Sequence, residues 1–211
     1  MTELGNVPQP RLTWLNLNGN AIISCANFQG HASLKTLLLA ENKLANCAGI
    51  GNLDALTELN LSGNEITTLK DMKELPALLK LDVSKNKMET LEEFPTLNAL
   101  ESLNLDENPV EKEDQLPQLR GLRSLQALSM AAVPFADAKG DDFKKEVLIA
   151  LDNLVVKSVN GDEVTQEDRD EAKTEKEARI QAQKEAEEEA ARLAAEKAAE
   201  GEGEGEGEEA E

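Results

Sequence analysis

Apolar residues recur along the first half of the chain in the pattern Leu-x-x-Leu-x-Leu-x-x-Asn, and each copy begins 22 residues after the previous one. The five asparagines that close the copies are Asn20, Asn42, Asn64, Asn86 and Asn108. The central x-Leu-x of each copy predicts a short strand, because neighbouring side chains of a strand point to opposite faces. A period this regular indicates a stack of similar structural units rather than one irregular core.

The apolar residues of successive copies fall into columns. One unit cannot bury its own apolar face, but stacked neighbours can, and each buried leucine or isoleucine is worth about 1.5–3 kcal/mol. We interpret the asparagines as structural, since an amide side chain can satisfy backbone groups that turn inward at the end of the strand. The central leucines form one column and the residues after each asparagine form another: Leu15, Leu37, Leu59, Leu81, Leu103 and Leu128; Ile22, Leu44, Ile66, Met88 and Val110.

These motifs resemble the leucine-rich repeat, and the 22-residue length is similar to the short intracellular class typified by a phosphatase-1 regulatory subunit. The resemblance implies an α/β leucine-rich repeat solenoid with a curved parallel sheet on its concave face and short helices or turns on its convex face. It also implies a C-terminal cap, to which the sequence adds a long charged helix. The pattern is specific for a fold and nearly silent about function.

The sequence predicts four segments: an N-terminal extension over 1–11, about six repeats plus a cap over 12–164, a charged helix over 165–200, and a disordered acidic Glu-Gly tail over 201–211. The sixth copy has Val133 where the asparagine is expected, so the asparagine ladder ends at five members. Apolar residues at helical spacing then predict a helix within 141–154. Asn160-Gly161 predicts a turn that folds the chain back.

The N-terminal end lacks a capping helix, because only eleven residues precede Leu12 and Pro8 and Pro10 oppose helix formation. Two arrangements remain open. Either the first strand has a free edge that contacts a partner, or residues 1–11 fold over this end as an extended strand. His31 stands in a column of leucines at the same end, and we interpret it as a partly solvated structural histidine rather than a catalytic one.

The segment from Gln166 to Glu200 contains neither glycine nor proline and is dominated by strong helix formers. Thr165 is its predicted N-cap. Ile180 and Leu193 are its only large apolar residues, so the helix has no continuous stripe to bury. We therefore expect it either to project into solvent or to lie along a partner near Ile180.

The chain has a net charge of −20, and residues 162–211 contribute −13 of it through 20 acidic and 7 basic residues. This balance disfavours direct nucleic-acid binding and favours a basic protein surface as partner. No apolar run is long enough for a membrane span, and the first residues do not resemble a secretory signal. Cys25 and Cys47 share a column, which predicts two buried small hydrophobic residues in a reducing, intracellular compartment.

Outward-facing strand residues are the candidates for partner binding, since the concave face of a solenoid presents them together. Trp14, Leu38 and Leu79 are unusually apolar for such positions and fit a protein-binding anchor. We expect no enzymatic activity, no cofactor, no metal and no small-molecule substrate. The predicted partner-binding residues are Trp14, Asn16, Thr36, Leu38, Glu58, Asn60, Leu79, Lys80, Asp82 and Ile180.

The run GLRSLQALSMAAVPFADAKGDDFKKEVLIALDNL, followed by EDRDEAKTEKEARIQAQKEAEEEAARL, resembles the end of axonemal radial-spoke leucine-rich proteins. That resemblance implies a structural subunit of a ciliary or flagellar assembly that binds other protein subunits. Two alternatives remain. Acidic leucine-rich nuclear phosphoproteins, which include regulatory and histone-binding proteins, also join a short solenoid to an acidic tail, and phosphatase-regulatory adaptors share the repeat class.

Overall fold

The structure, a computed structural model, describes residues 2–7 and 9–201, with side chains described as far as residue 195. The part of the predicted Glu-Gly tail over 202–211 lies outside the described residues. Eight strands form one sheet in sequence order. They are β1 (Trp14–Asn16), β2 (Thr36–Leu38), β3 (Glu58–Asn60), β4 (Lys80–Asp82), β5 (Ser102–Asn104), β6 (Ala127–Ser129), β7 (Ser158–Val159) and β8 (Asp162–Glu163).

Strands β1 to β7 are parallel, and each of β1 to β5 pairs with the strand one repeat later in the chain. Leu15 is in register with Leu37, and Leu37 with Leu59, as the leucine column predicts. The central leucines of β2 to β6 are buried, whereas Leu15 is half-buried because no repeat precedes it. The predicted parallel-sheet solenoid is confirmed.

The asparagine ladder ties each turn of the solenoid to the one before it. Asn64 accepts a hydrogen bond from the Leu44 backbone N–H at 3.0 Å. Its side-chain NH₂ group also donates to the carbonyls of Leu39, Leu61 and Ser62 at 2.9–3.3 Å. The same pattern recurs at Asn42, Asn86 and Asn108. The structural interpretation of these asparagines therefore agrees with their hydrogen bonds.

The convex side consists mainly of turns. The longer fifth copy accommodates a 3₁₀ helix, Glu113–Gly121, whose residues Leu116 and Leu119 are buried. The cap follows β6 and contains α1 (Pro134–Lys139), a short 3₁₀ turn (Gly140–Asp142) and α2 (Phe143–Ala150). Val133, the residue that breaks the ladder, is fully buried at the start of α1.

The cap closes the core through aromatic packing and a short hairpin. Phe135 and Phe143 meet edge to face with ring centroids 5.4 Å apart. β8 turns back antiparallel to β7 at Asn160 and Gly161, as the turn signal predicts. The Asn160 side chain accepts a hydrogen bond from the Met130 backbone N–H at 2.7 Å, which joins the hairpin to the last repeat.

The charged helix, α3 (Gln166–Gly201), begins with reciprocal capping. The Asp168 carboxylate accepts hydrogen bonds from the backbone N–H and the hydroxyl of Thr165, and the Thr165 hydroxyl oxygen accepts one from the Asp168 N–H. The first four turns of α3 pack against α2. This differs from the two arrangements expected from sequence, because the helix docks on its own cap before it projects outward.

Candidate partner-binding surfaces

The outward residues of the first strands form the concave face, and the sequence-predicted anchor lies at its N-terminal end. Trp14 is 54% exposed on β1, so the N-terminal segment does not cover it. Leu38 is half-buried on β2 and faces the same side, in register with Asn16. Most other outward positions are small or polar, so Trp14 and Leu38 form the apolar part of this face.

The middle of the concave face carries mixed charge. Glu58 and Lys80 are exposed and in register on β3 and β4. Thr36 lies next to Glu58 and reaches its carboxylate at 3.5 Å, a long contact. Leu79 is half-buried immediately before β4, which makes it a minor contributor to the exposed apolar surface.

Three of the predicted binding residues already have a structural task at the end of their strands. The side-chain oxygens of Asn16, Asn60 and Asp82 each accept a hydrogen bond from the backbone N–H two residues later, at 2.9–3.0 Å. These Asx turns end the strands and hold the side chains in fixed orientations. A partner protein can therefore bind only those hydrogen-bonding groups of these side chains that the Asx turns leave free. Sequence reasoning missed this role, although a recurring Asn or Asp two residues before a turn is its signal.

The N-terminal segment covers the first repeat away from β1. Leu4 is buried, its backbone N–H donates to the Ser24 carbonyl at 3.0 Å, and Glu3 forms an isolated parallel bridge with Ser24. The outer edge of β1 has no strand partner in the described part of the chain. Both expected arrangements are thus partly correct: residues 2–4 are extended and paired, and the edge of β1 is open.

His31 is buried rather than partly solvated, at 8% exposed, which corrects the sequence-based expectation. The reason is the N-terminal segment, which lies over the ring. One ring nitrogen, Nε2, donates to the Gln9 carbonyl at 2.6 Å, and the other, Nδ1, accepts from the Ser33 N–H at 3.3 Å. Through its contact with the Gln9 carbonyl, His31 anchors the segment that covers it.

Ion pairs rather than apolar contacts dock α3 on the cap. Arg179 donates two hydrogen bonds of 2.8 Å to the buried Glu146 carboxylate, and Lys139 contacts the same carboxylate at 3.5 Å. Lys144 pairs with Asp168 at 3.1 Å, and Lys176 pairs with Asp152. Ala172 is the buried apolar residue of this docked part.

The same contacts favour the ionised form of each of these groups, so they lower the pKa of the carboxyl groups and raise that of Arg179. Hydrogen bonds from Arg179 lower the pKa of Glu146, and the pKa of Arg179 is raised in turn. The backbone and hydroxyl of Thr165 lower the pKa of Asp168, and Lys176 lowers that of Asp152. The ionised carboxylates therefore favour docking. Their contribution is complete above the usual carboxyl pKa of about 4 and is lost as pH falls through the lowered values.

We predict that Arg179→Ala loosens the docked part of α3 while the solenoid stays folded. The Glu146 carboxylate would keep only its longer contact with Lys139, and we expect docking to lose about 1–2 kcal/mol after discounting for solvent screening, since Arg179 is partly exposed. Amide hydrogen exchange over residues 169–180 should then be about 5–30-fold faster. Arg192→Ala, on the exposed continuation of the same helix, is the control. Equal exchange rates in both variants would contradict this prediction, and acidification of the wild-type protein below about pH 4 should reproduce the loosening.

A surface cleft of about 460 Å³ lies between α2 and α3. Leu148, Ile149, Leu154 and Ala172 contribute apolar side chains to it, and Ile180 lines it while remaining 45% exposed. Ile180 was predicted as a partner-binding residue, and the structure places it away from the concave face that holds the other predicted residues. The protein thus presents two separate candidate surfaces.

The two cysteines are free and buried, as their shared column predicts. Burial raises the pKa of the Cys25 thiol to about 11 and that of Cys47 to about 12, so neither thiol is activated as a nucleophile. Within residues 2–7 and 9–201 no group of three or more His, Cys, Asp or Glu residues could hold a metal ion. None of the helices in this part of the chain has the length and apolar character needed to cross a bilayer.

Comparisons with known proteins agree on the fold. A family model described as Leucine rich repeat matches residues 55–110. A chain of the Drosophila melanogaster SNF/U2A' complex is 18% identical with a TM-score of 0.57, and the match covers 80% of this chain and 87% of that one. An internalin from Listeria monocytogenes is 21% identical with a TM-score of 0.52 over 74% of this chain, which spans about half (49%) of the internalin chain. No curated protein sequence matches the chain.

Proposed function

We propose that this leucine-rich repeat protein is a non-catalytic scaffold that binds other proteins through its concave face, the open edge of β1 and its charged C-terminal helix. The observation that carries the proposal is Trp14, a 54% exposed tryptophan on β1, the strand whose outer edge is open, with Leu38 on the same face of the neighbouring strand. Tryptophan dominates the binding energy of many protein interfaces. An uncovered strand edge also offers backbone donors and acceptors to a partner.

The charge pattern of the concave face supports selectivity for a partner. Glu58 and Lys80 lie side by side on neighbouring strands, so a complementary surface needs both signs of charge in a fixed order. Charge complementarity of this kind contributes more to specificity and association rate than to affinity. Asp82 on β4 adds a further negative charge, and its Asx turn fixes the position of that charge.

We predict that the double variant Trp14→Ala with Leu38→Ala loses partner binding without unfolding. A tryptophan hot spot is worth at least about 2 kcal/mol, which corresponds to roughly 30-fold weaker binding. The measurement is the recovery of partner proteins with the tagged full-length chain, quantified against wild type. Ile23→Ala is the matched control, since Ile23 is 55% exposed in the same repeat but outside the sheet. Unchanged recovery by the folded double variant would exclude the concave face as the main binding surface.

We further propose that the assembly is a ciliary or flagellar axoneme, with this protein as a radial-spoke-like structural subunit. The support is the resemblance of residues 121–199 to axonemal leucine-rich proteins, which likewise couple a last repeat and cap to a charged helix. The docking of α3 on α2 is in keeping with a permanent structural element, because the ion pairs give the helix a fixed direction. A cytoplasmic, axonemal location follows from this proposal.

Fractionation of cells tests the axonemal proposal separately from the scaffold proposal. We expect the protein to remain with axonemes in high salt, since axonemal subunits are held by several interfaces at once. A wholly soluble pool, or a nuclear pool that binds histones in a salt-sensitive way, would overturn the axonemal assignment. A nuclear pool that binds histones would favour the acidic tail as the binding element, and deletion of residues 162–211 should then abolish histone binding.

A further inference from the structure

In the cleft between α2 and α3 an apolar floor occurs together with a predominantly basic rim, which is not the case in the other described surface clefts. Its floor is apolar and comes from both helices: Leu148 and Ile149 from α2, Leu154 from the segment after it, and Ala172 and Ile180 from α3. The volume of about 460 Å³ is enough for one or two large apolar side chains. Ile180 is exposed at its margin, and the next large apolar residue along the helix is Leu193.

The charge around this cleft has the opposite sign to the protein as a whole. Three basic and two acidic residues line it, in a chain with a net charge of −20. Asp152 is already paired with Lys176 and Arg120, which leaves Arg169 and Lys173 against the exposed Glu177. Lys173 has no ion-pair partner among the described residues. Three other surface clefts of the structure are lined by more acidic than basic residues.

The C-terminal residues beyond 201 have the wrong chemistry to fill the cleft. Residues 202–211 consist of glycine, glutamate and one alanine, so they supply negative charge but no large apolar side chain. An occupant must supply both negative charge and a large apolar side chain, since the floor is apolar and the rim is basic. A basic partner would meet Arg169, Lys173 and Lys176 with like charge.

We propose that this cleft binds an acidic amphipathic segment of another protein. One face of the segment places an apolar side chain between Ile149 and Ile180, and a carboxylate flanking it pairs with Lys173, while Lys176 stays paired with Asp152. The proposal rests on the scaffold function and names the partner chemistry at its helical surface. It also predicts that this surface and the concave face select partners of different kinds, because the concave face carries mixed charge.

A peptide of defined composition tests the proposal. The probe is a synthetic 18-residue helical peptide with leucine at every third or fourth position and glutamate elsewhere, and its twin has lysine in place of glutamate. Fluorescence anisotropy with the full-length protein should show binding of the glutamate peptide at roughly 1–100 µM and at least tenfold weaker binding of the lysine peptide. Lys173→Glu and Ile180→Asp should each weaken the glutamate peptide about tenfold or more. Lys184→Glu, an equal charge change on the same helix outside the cleft, should alter its affinity less than twofold.

Three results would overturn the proposal. The first is a lysine peptide that binds as tightly as the glutamate peptide, and the second is a Lys184→Glu variant that loses as much affinity as Lys173→Glu. The third is a concentration-dependent dimer of the free protein, seen by sedimentation, that Ile180→Asp abolishes, since a second copy would then occupy the cleft. Circular dichroism confirms that each variant retains its helix.

The same titration in the Trp14→Ala, Leu38→Ala background separates the two proposals. Retained binding of the glutamate peptide supports an independent site at the cleft, even where the double variant has lost its other partners. Loss of peptide binding in that background would overturn the cleft proposal, because the peptide would then be bound on the concave face. Failure of the scaffold proposal would instead appear as unchanged partner recovery by the double variant.

Discussion

Replacing Asn64 by alanine is expected to lower the free energy of unfolding by roughly 2–4 kcal/mol, because its buried side chain joins two adjacent repeats. The amide of Asn64 bonds the backbone of two adjacent repeats at once: it accepts from Leu44 and donates to Leu39 and Leu61. Alanine would leave the Leu44 N–H and the carbonyls without these bonds in the core. A buried donor without a partner costs about 1–3 kcal/mol by itself.

Asn20 provides the matched control for this prediction. It occupies the same position in the first repeat, but it is exposed and donates only to carbonyls of its own turn. Asn20→Ala should therefore cost well under about 1 kcal/mol, because water can replace its bonds. Urea denaturation of both variants, followed by circular dichroism, measures the difference. Equal losses in the two variants would show that the ladder does not couple neighbouring repeats.

The second large effect is expected at Gly49, where alanine should destabilise the protein by about 3 kcal/mol or more, or prevent folding. Gly49 has a φ of +87°, a conformation that side chains rarely adopt, and an added Cβ would overlap the backbone carbonyl of Cys25 in the previous turn. The close approach lets adjacent repeats pack without a gap. The overlapped atoms belong to the backbone of Cys25 and Ala26, so the overlap has to be relieved by moving the backbone of a turn.

Gly121→Ala is the control for the glycine prediction, since nothing lies within 4 Å of a Cβ added there and its φ is not positive. We expect that variant to match wild type or to gain slightly, because alanine reduces the conformational freedom of the unfolded chain. Calorimetry measures the melting temperatures of the Gly49→Ala and Gly121→Ala variants. A Gly49→Ala protein that melts within a degree or two of Gly121→Ala would refute the requirement for glycine.

The regular part of the fold was predictable because it depends on local periodicity. The spacing of the leucines fixed the positions of the strands, and the columns fixed their register, so Leu15 and Leu37 pair as expected. The cap hairpin was predictable for a similar reason, since Asn160 and Gly161 form a strong turn signal. These features either repeat along the chain or depend on residues that are neighbours in sequence. One amino-acid sequence is therefore sufficient to predict them.

Features that depend on distant polar contacts were not predictable. Arg179 and Glu146 are 33 residues apart, and no periodic pattern connects them, so the docking of α3 had no sequence signal. The burial of His31 likewise depends on the Gln9 carbonyl, which the irregular N-terminal segment brings over the ring. Hydrophobic patterning cannot detect either arrangement, because both are held by hydrogen bonds.

The candidate binding residues were predictable as positions but not as surfaces. The repeat register correctly assigns Trp14 and Glu58 to outward positions, and it does so without any structure. It could not show that the Asn16 side chain is held in a turn, nor that Ile180 lines a cleft formed with α2. The hydrogen bonds within a turn and the docking of α3 on α2 determine which outward side chains remain free to bind a partner.

The two ends of the sheet differ, and this difference limits how the protein can assemble. At one end β1 presents an open edge with the same strand direction as the rest of the sheet. At the other end β8 reverses direction, is two residues long and carries Asp162 and Glu163, which makes it a poor template for another strand. Head-to-tail addition needs both ends, so copies of this chain cannot continue one another's sheet into a fibre. A partner strand that joined this sheet would therefore have to do so at β1, which gives the protein a built-in polarity.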